Sequence, residues 1–359
     1  MVNRRRTERI CREWGFTQPL AAPHHNACST GCKAVARSCR PVFDLTGRRS
    51  RFTRLVGSGV VAGVSDNDPT TVGAVTVVGA QTGYRLSWLA LLVFPLLAVV
   101  QEIAAQIGVV PGADLQTLTA RRYGRRVAFA LLVSVLAVNV VTIAADLEAA
   151  AALRLLTGLD WRWFALPLSI ALVALLVIGS YTQVFTVLRV VLLGFVAYGV
   201  AAILARPAWT EVPRDSLVPS FSLSKTYVVG ALSLVGTTLT SYVYIWEGIS
   251  QAEERPDPGE LRRVRIEARV GAAVTVASFW GILVASGATL GRHHLSPASA
   301  QDAAQVLRPL AGPWAADLSA VGLLASALVA LPVLLATTAH VLGSHFDWRR
   351  GLSEAIRPA

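Results

Sequence analysis

Eight stretches of this chain are dominated by apolar residues, and polar or Gly/Pro-rich connectors separate them. They cover 55–82, 87–109, 127–156, 163–180, 184–205, 227–250, 268–290 and 314–342. Most reach the length of about 20 residues that crosses a bilayer as a helix. Residues 1–52 differ: they are polar, Arg-rich and without period, and read as a disordered basic tail ahead of a helical unit spanning 53–359.

The first and sixth stretches are interrupted. In the first, Asp66, Asn67 and Asp68 stand directly before Pro69. Asp before Pro is a helix-start signal, so the pattern predicts one helix ending and a second beginning mid-span. In the sixth, Gly236, Thr237, Thr238, Thr240 and Ser241 crowd one turn, and Ser and Thr compete for backbone hydrogen bonds. Unwinding frees carbonyls, which are tolerated at membrane depth only where they line a cavity or hold an ion. A carboxylate there is costly and is rarely kept without a use. Paired interruptions at matching places in two halves of a chain point to a transporter's binding site.

Composition agrees with a multi-pass membrane protein. The 359 residues are 53% hydrophobic and 15% charged, with mean hydropathy +0.53, against roughly 25% charged in soluble domains. The net charge of +11 first suggests nucleic acid. Its distribution excludes that reading. Twelve of the 33 basic residues precede residue 55, and the others concentrate in alternate loops: Arg121, Arg122, Arg125 and Arg126; then Arg255, Arg262, Arg263, Arg265 and Arg269; then Arg349 and Arg350. This alternation fits eight crossings with both termini cytoplasmic. Cys11, Cys28, Cys32 and Cys39 all lie in the tail. Their spacing fits no common zinc finger, so free thiols are expected. The tail has no apolar core of a signal peptide.

At these residues the sequence resembles the Nramp (natural resistance-associated macrophage protein) family of divalent-metal transporters. The family carries Asp-Pro-Gly-Asn in helix 1 and Ala-x-x-Met-Pro-His in helix 6. Here they read Asp68-Pro69-Thr70-Thr71 and, from Thr237, Thr-Thr-Leu-Thr-Ser-Tyr. The stretches 79–88, 101–126 and 144–150 resemble what surrounds them in the family, and the likeness runs from about 55 to 350. The resemblance implies an all-α, LeuT-like fold of two inverted five-helix repeats. The first would be 53–205 and the second, incomplete, 226–345, with helices 1 and 6 broken. Helices 9 and 10 are expected to be absent, a truncation relative to the family.

The resemblance also implies a site. Asp68 takes the place of the metal-binding aspartate, Thr71 that of the asparagine, and Thr237 that of the alanine whose carbonyl faces the metal. Thr240 stands for the methionine, Ser241 for the proline and Tyr242 for the histidine. Losing a thioether leaves an all-oxygen site, which suits hard cations. This is similar to the Nramp-related magnesium transporters. The expected cargo is therefore a divalent cation of the Mg2+ or Mn2+ class, with no resident cofactor and no enzyme activity. The partners are that ion and the bilayer, with the bacterial inner membrane expected as the location. The sequence assigns no oligomeric state.

Proton coupling is expected to be lost. The family's route uses the helix 6 histidine and two helix 3 carboxylates three residues apart. Here Tyr242 replaces the histidine, Asp146 remains, its partner position is Ala149, and Glu148 is displaced by one. Asp66 and Asn67 are secondary candidates. Asp66 is expected to matter less than Asp68, because about 200° of rotation separates residues two apart in a helix. Gln101 and Glu102 are expected in a cytoplasmic vestibule, and Glu247 and Gln251 near water. Three alternatives are a non-transporting relative, a proton-coupled Mn2+/Fe2+ importer, and an intramembrane aspartic protease using Asp68 and Asp146. The protease lacks its Gly-Asp motif here.

Overall fold

The computed structural model describes residues 57–109, 114–147, 162–178, 195–254, 260–293 and 313–346, together with positions 188, 191, 295 and 348. The tail and its cysteines, Glu148, Ala149 and the loop at 255–259 lie outside the described residues. The described elements are helical. In chain order they are α1 (Ser58–Ser65), α2 (Pro69–Thr82), α3 (Ser87–Val109), α4 (Leu115–Tyr123) and α5 (Arg125–Leu147). Then come α6 (Arg162–Ile178), α7 (Val196–Leu204), α8 (Val212–Leu217), α9 (Lys225–Thr238), α10 (Ser241–Glu254), α11 (Leu261–Ser286) and α12 (Pro313–His345). A π-turn, Gly287–Gly291, extends α11.

Where they are described, the expected segments are helical; 148–156 and most of 184–194 lie outside the described residues. Among the described residues, five spans are long and apolar enough to cross a membrane: Ser87–Val109, Arg125–Leu147, Lys225–Glu253, Leu261–Gly291 and Asp317–His345. The first segment falls short of that length because it is two helices, as its Asp-Pro step requires. Asp68 is the N-cap of α2, its carboxylate accepting from the Thr71 N–H, with Pro69 in the first turn. Pro costs nothing there because that N–H has no helical partner. Helix α4 was not expected. It starts on Asp114, and Gly124, at φ 88°, ends it and lets α5 begin at once.

Lipid tails are as apolar as leucine, so close backbone approach, more than burial of apolar surface, holds membrane helices together. Helix α1 runs parallel to α11 through such an approach. A Cβ at Gly63 would lie 2.5 Å from the Gly271 backbone, and one at Gly271 would collide with the Gly59 carbonyl. The Thr275 hydroxyl donates to the Gly63 carbonyl. On an adjoining face α11 meets α3 antiparallel. Val93, Leu97 and Ala98 pack with Ala272 and Val276, and at the Arg-rich end Glu102 pairs with Arg265 (3.1 Å) and Arg269 (2.8 Å). Helix α12 runs antiparallel to α5, with Asn139 Nδ2 donating to Thr338 Oγ1 at 2.8 Å and Leu132 and Val135 against Val341.

The two broken helices lie antiparallel. Gly230 of α9 faces Val78, Thr82 and Leu86, while Thr237, Thr240 and Tyr242 meet Thr71, Asp66 and Ser65 in turn. Each break therefore sits beside the other. The first spans Asp66–Asp68 and the second Leu239–Thr240.

Candidate metal-binding site

The first break is a sharp change of direction. Asp66 is still in αR conformation and its N–H reaches back to the Gly63 carbonyl, but Asp68 is extended at φ −66°, ψ 163°. Asp66, Asn67 and Asp68 are all buried, between 0% and 1% exposed. The rotation argument that set Asp66 apart from Asp68 fails here, because the chain leaves the helix between them.

Four hydrogen bonds tie the breaks together. Tyr242 Oη donates to the Ser65 carbonyl at 2.6 Å and lies 3.2 Å from Asp68 Oδ2. Thr240 Oγ1 donates to Asp66 Oδ1. Thr71 Oγ1 donates to the Thr237 carbonyl at 3.3 Å. The expected residues Asp68, Thr71, Thr237, Thr240 and Tyr242 thus come together, and Asp66 joins them. Thr240 offers its proton to a carboxylate, so its hydroxyl is fixed in direction. Asp146 arrives from α5: its Oδ1 accepts from the Thr70 N–H (3.3 Å) and hydroxyl (3.0 Å) at the start of α2. It is also completely buried.

Asp66, Asp68 and Asp146 form no ion pair among the described residues; the ion pairs found lie at the Arg-rich end and beside α4. Asp66 Oδ2, Asp146 Oδ2 and both amide atoms of Asn67 have no hydrogen-bond partner among the described residues. Among the described residues no three His, Cys, Asp or Glu side chains converge as a metal-ligand group. The donors here are two carboxylates in one turn, hydroxyls and freed carbonyls, a set matched to hard cations.

Two expectations need correction. Glu247 and Gln251 are not near water: they are 0% and 1% exposed, and Gln251 Nε2 donates to Glu247 Oε1 at 3.1 Å. Gly108 explains it, since its Cβ position lies 2.8 Å from Gln251 Cβ and would overlap the Gly248 carbonyl, so α3 closes directly over this face of α10. The paired glycines Gly108 and Gly248 were the available signal. Gln101, placed in a vestibule with Glu102, is buried with neither amide atom partnered, while Glu102 remains partly accessible in its ion pairs.

The model of the family described as "Natural resistance-associated macrophage protein-like" matches residues 59–358. The chain belongs to the Nramp family. Among curated relatives, a divalent metal cation transporter MntH of Deinococcus radiodurans is 29% identical over 290 residues, covering 77% of this chain and 66% of the relative. An MntH of Mycobacterium tuberculosis is 28% identical over 309 residues, covering 82% and 71%. This Nramp chain thus spans about two thirds of the length of those relatives. A solved structure, the Eremococcus coleocola manganese transporter with an aromatic bis-isothiourea compound, superposes with TM-score 0.70 at 21% identity. It covers 84% of this chain and 67% of that one. That likeness is one of fold, and it makes this an all-helical, multi-pass membrane protein of LeuT-like architecture.

Proposed function

We propose that this Nramp chain carries a divalent metal cation across the membrane, binding it at mid-depth between the two breaks. Asp68, Thr71, the Thr237 carbonyl and Thr240 supply oxygens. One observation carries the reading: Asp66 and Asp68 are buried in the first break, with Asp146 buried beside the start of α2, and no cation among the described residues neutralises them. A buried acid left unpaired costs several kcal/mol, so a cation cargo is the group that makes the arrangement stable. The relatives, named as divalent metal and manganese transporters, support the class of cargo. The oxygen-only donors favour a hard ion, Mg2+ before Mn2+. The chain would lie in a bacterial inner membrane with its Arg-rich loops cytoplasmic.

Metal movement would not require proton co-transport. Tyr242, where the family keeps a histidine, spends its hydroxyl on Ser65 and Asp68, and a phenol does not exchange protons near neutral pH as imidazole does. The second reading is a proton-coupled Mn2+ importer. Asp146 favours it, because its Oδ2 has no partner and could take up a proton. Liposomes holding a pH dye separate the two. Metal entry with a silent dye supports uncoupled passage. Acidification that tracks entry and vanishes in Asp146→Asn supports coupling. Absence of metal flux or binding overturns transport.

A further inference from the structure

Asp66 and Asn67 are the polar groups that the assigned ligands leave over. Asp66 is fully buried, with Oδ1 receiving the Thr240 hydroxyl and Oδ2 receiving nothing among the described residues. Asn67 is fully buried with neither its carbonyl nor its amide nitrogen partnered. Buried polar atoms without partners are rare and call for a cause. Asp68, by contrast, is engaged at both oxygens, by the Thr71 N–H at 2.6 Å and by Tyr242 Oη at 3.2 Å. The unspent lone pairs of this turn belong mainly to its first two residues.

We propose that Asp66 is a direct ligand of the cargo ion, paired with Asp68, that Asn67 Oδ1 completes its side of the cage, and that Thr240 is the positioning residue holding the Asp66 carboxylate. The inference rests on the cation-binding reading of the breaks and adds the charge count of the site. Thr240, in the second break, and Tyr242, in the first turn of α10, sit two residues apart and grip Asp66 and Asp68, two residues apart in the first break. Both carboxylates are thereby fixed on the side of the break that faces α10. Two carboxylates balance a divalent ion, and with an amide carbonyl and the Thr237 carbonyl the cage holds only oxygen. Such a cage takes small hard divalent cations, Mg2+ above all, and gives soft ions such as Cd2+ no preferred donor. Thr240 then shapes selectivity through Asp66 as well as through its own oxygen.

The test uses the full chain in lipid nanodiscs, titrated with Mg2+ and with Cd2+, and read also by the metal-induced shift of the carboxylate infrared bands. Asp66→Asn is expected to weaken Mg2+ binding at least about tenfold, because ligand charge sets affinity at such sites, and to remove part of the carboxylate band shift. Thr240→Val is expected to weaken Mg2+ about tenfold in the wild-type background, as loss of an orienting partner does, and to have no added effect on Asp66→Asn. Mg2+ affinity within twofold of wild type in either variant, or an unchanged infrared difference in Asp66→Asn, overturns the inference. If Asp66→Asn does not fold, as judged by its melting curve, Thr240→Val decides alone. Wild-type protein that binds no divalent ion would instead remove the cation-binding reading beneath it.

Discussion

Two helices of this protein begin on the same four-residue device, and its two copies behave differently. Asp68-Pro69-Thr70-Thr71 opens α2 and Asp114-Leu115-Gln116-Thr117 opens α4; in both, the aspartate accepts from the N–H of the threonine three residues on. At Asp114 the threonine hydroxyl returns to the same carboxylate at 2.9 Å, and His340 stands 3.7 Å away. That carboxylate is a closed structural cap. At Asp68 the threonine hydroxyl donates across the break to the Thr237 carbonyl, and a tyrosine replaces the histidine as the neighbour. No cation among the described residues answers the charge. The local motif is shared, and what surrounds it separates a cap from a ligand.

The largest effect expected from this contrast is on metal binding. Asp68→Ala should lower divalent affinity beyond detection in titration, at least about a hundredfold, because it deletes a charged ligand from a hard-cation site. Asp114→Ala should leave affinity within about twofold, since that carboxylate lies in the loop before α4. Equal losses in both variants would mean that Asp68, too, acts only as a cap.

Next in size is Thr240→Met. It installs a soft donor where the family keeps one and removes the hydrogen bond to Asp66. The ratio of Cd2+ to Mg2+ affinity should rise about tenfold, the thioether favouring one ion and the loosened carboxylate penalising the other. A ratio unchanged by competition titration would show that residue 240 neither faces the ion nor acts through Asp66.

Both breaks were legible in the sequence because their causes are local. Asp-Pro starts a helix wherever it stands, and a run of threonines weakens one. The pairing of the breaks was not. Thr240 meets Asp66 and Tyr242 meets Ser65 only because two helices more than 170 residues apart pack antiparallel. The 200° separation of Asp66 from Asp68 did not hold for a related reason: a rotation angle applies only inside a helix, and ψ of 163° at Asp68 ends that assumption. Glu247 and Gln251 looked like the wet end of a span because polarity was read without the glycines that let α3 approach. Helix α4 was hidden in a loop whose Asp114 and Gly124 were both visible as start and stop signals.

The smallest effect is on stability, and it follows from the cap at Asp114. Burial pushes its carboxyl up, but the neighbouring His340 ring and the hydrogen bonds from the N–H and hydroxyl of Thr117 outweigh that and hold it well below the usual carboxylate range. A carboxyl with a depressed folded-state value stabilises the fold above its unfolded value, near 4, and that contribution is lost as pH falls below there. Asp114→Ala should therefore cost about 1 kcal/mol near neutral pH, as loss of an N-cap does. In detergent, melting curves of wild type and variant should stay separated by a constant gap from pH 8 to pH 5. The gap should narrow from about pH 4 downward. A gap that instead widened on acidification would mean that the Asp114 carboxylate is held against its charge, and the distinction between a satisfied cap at Asp114 and an unsatisfied ligand at Asp68 would fail.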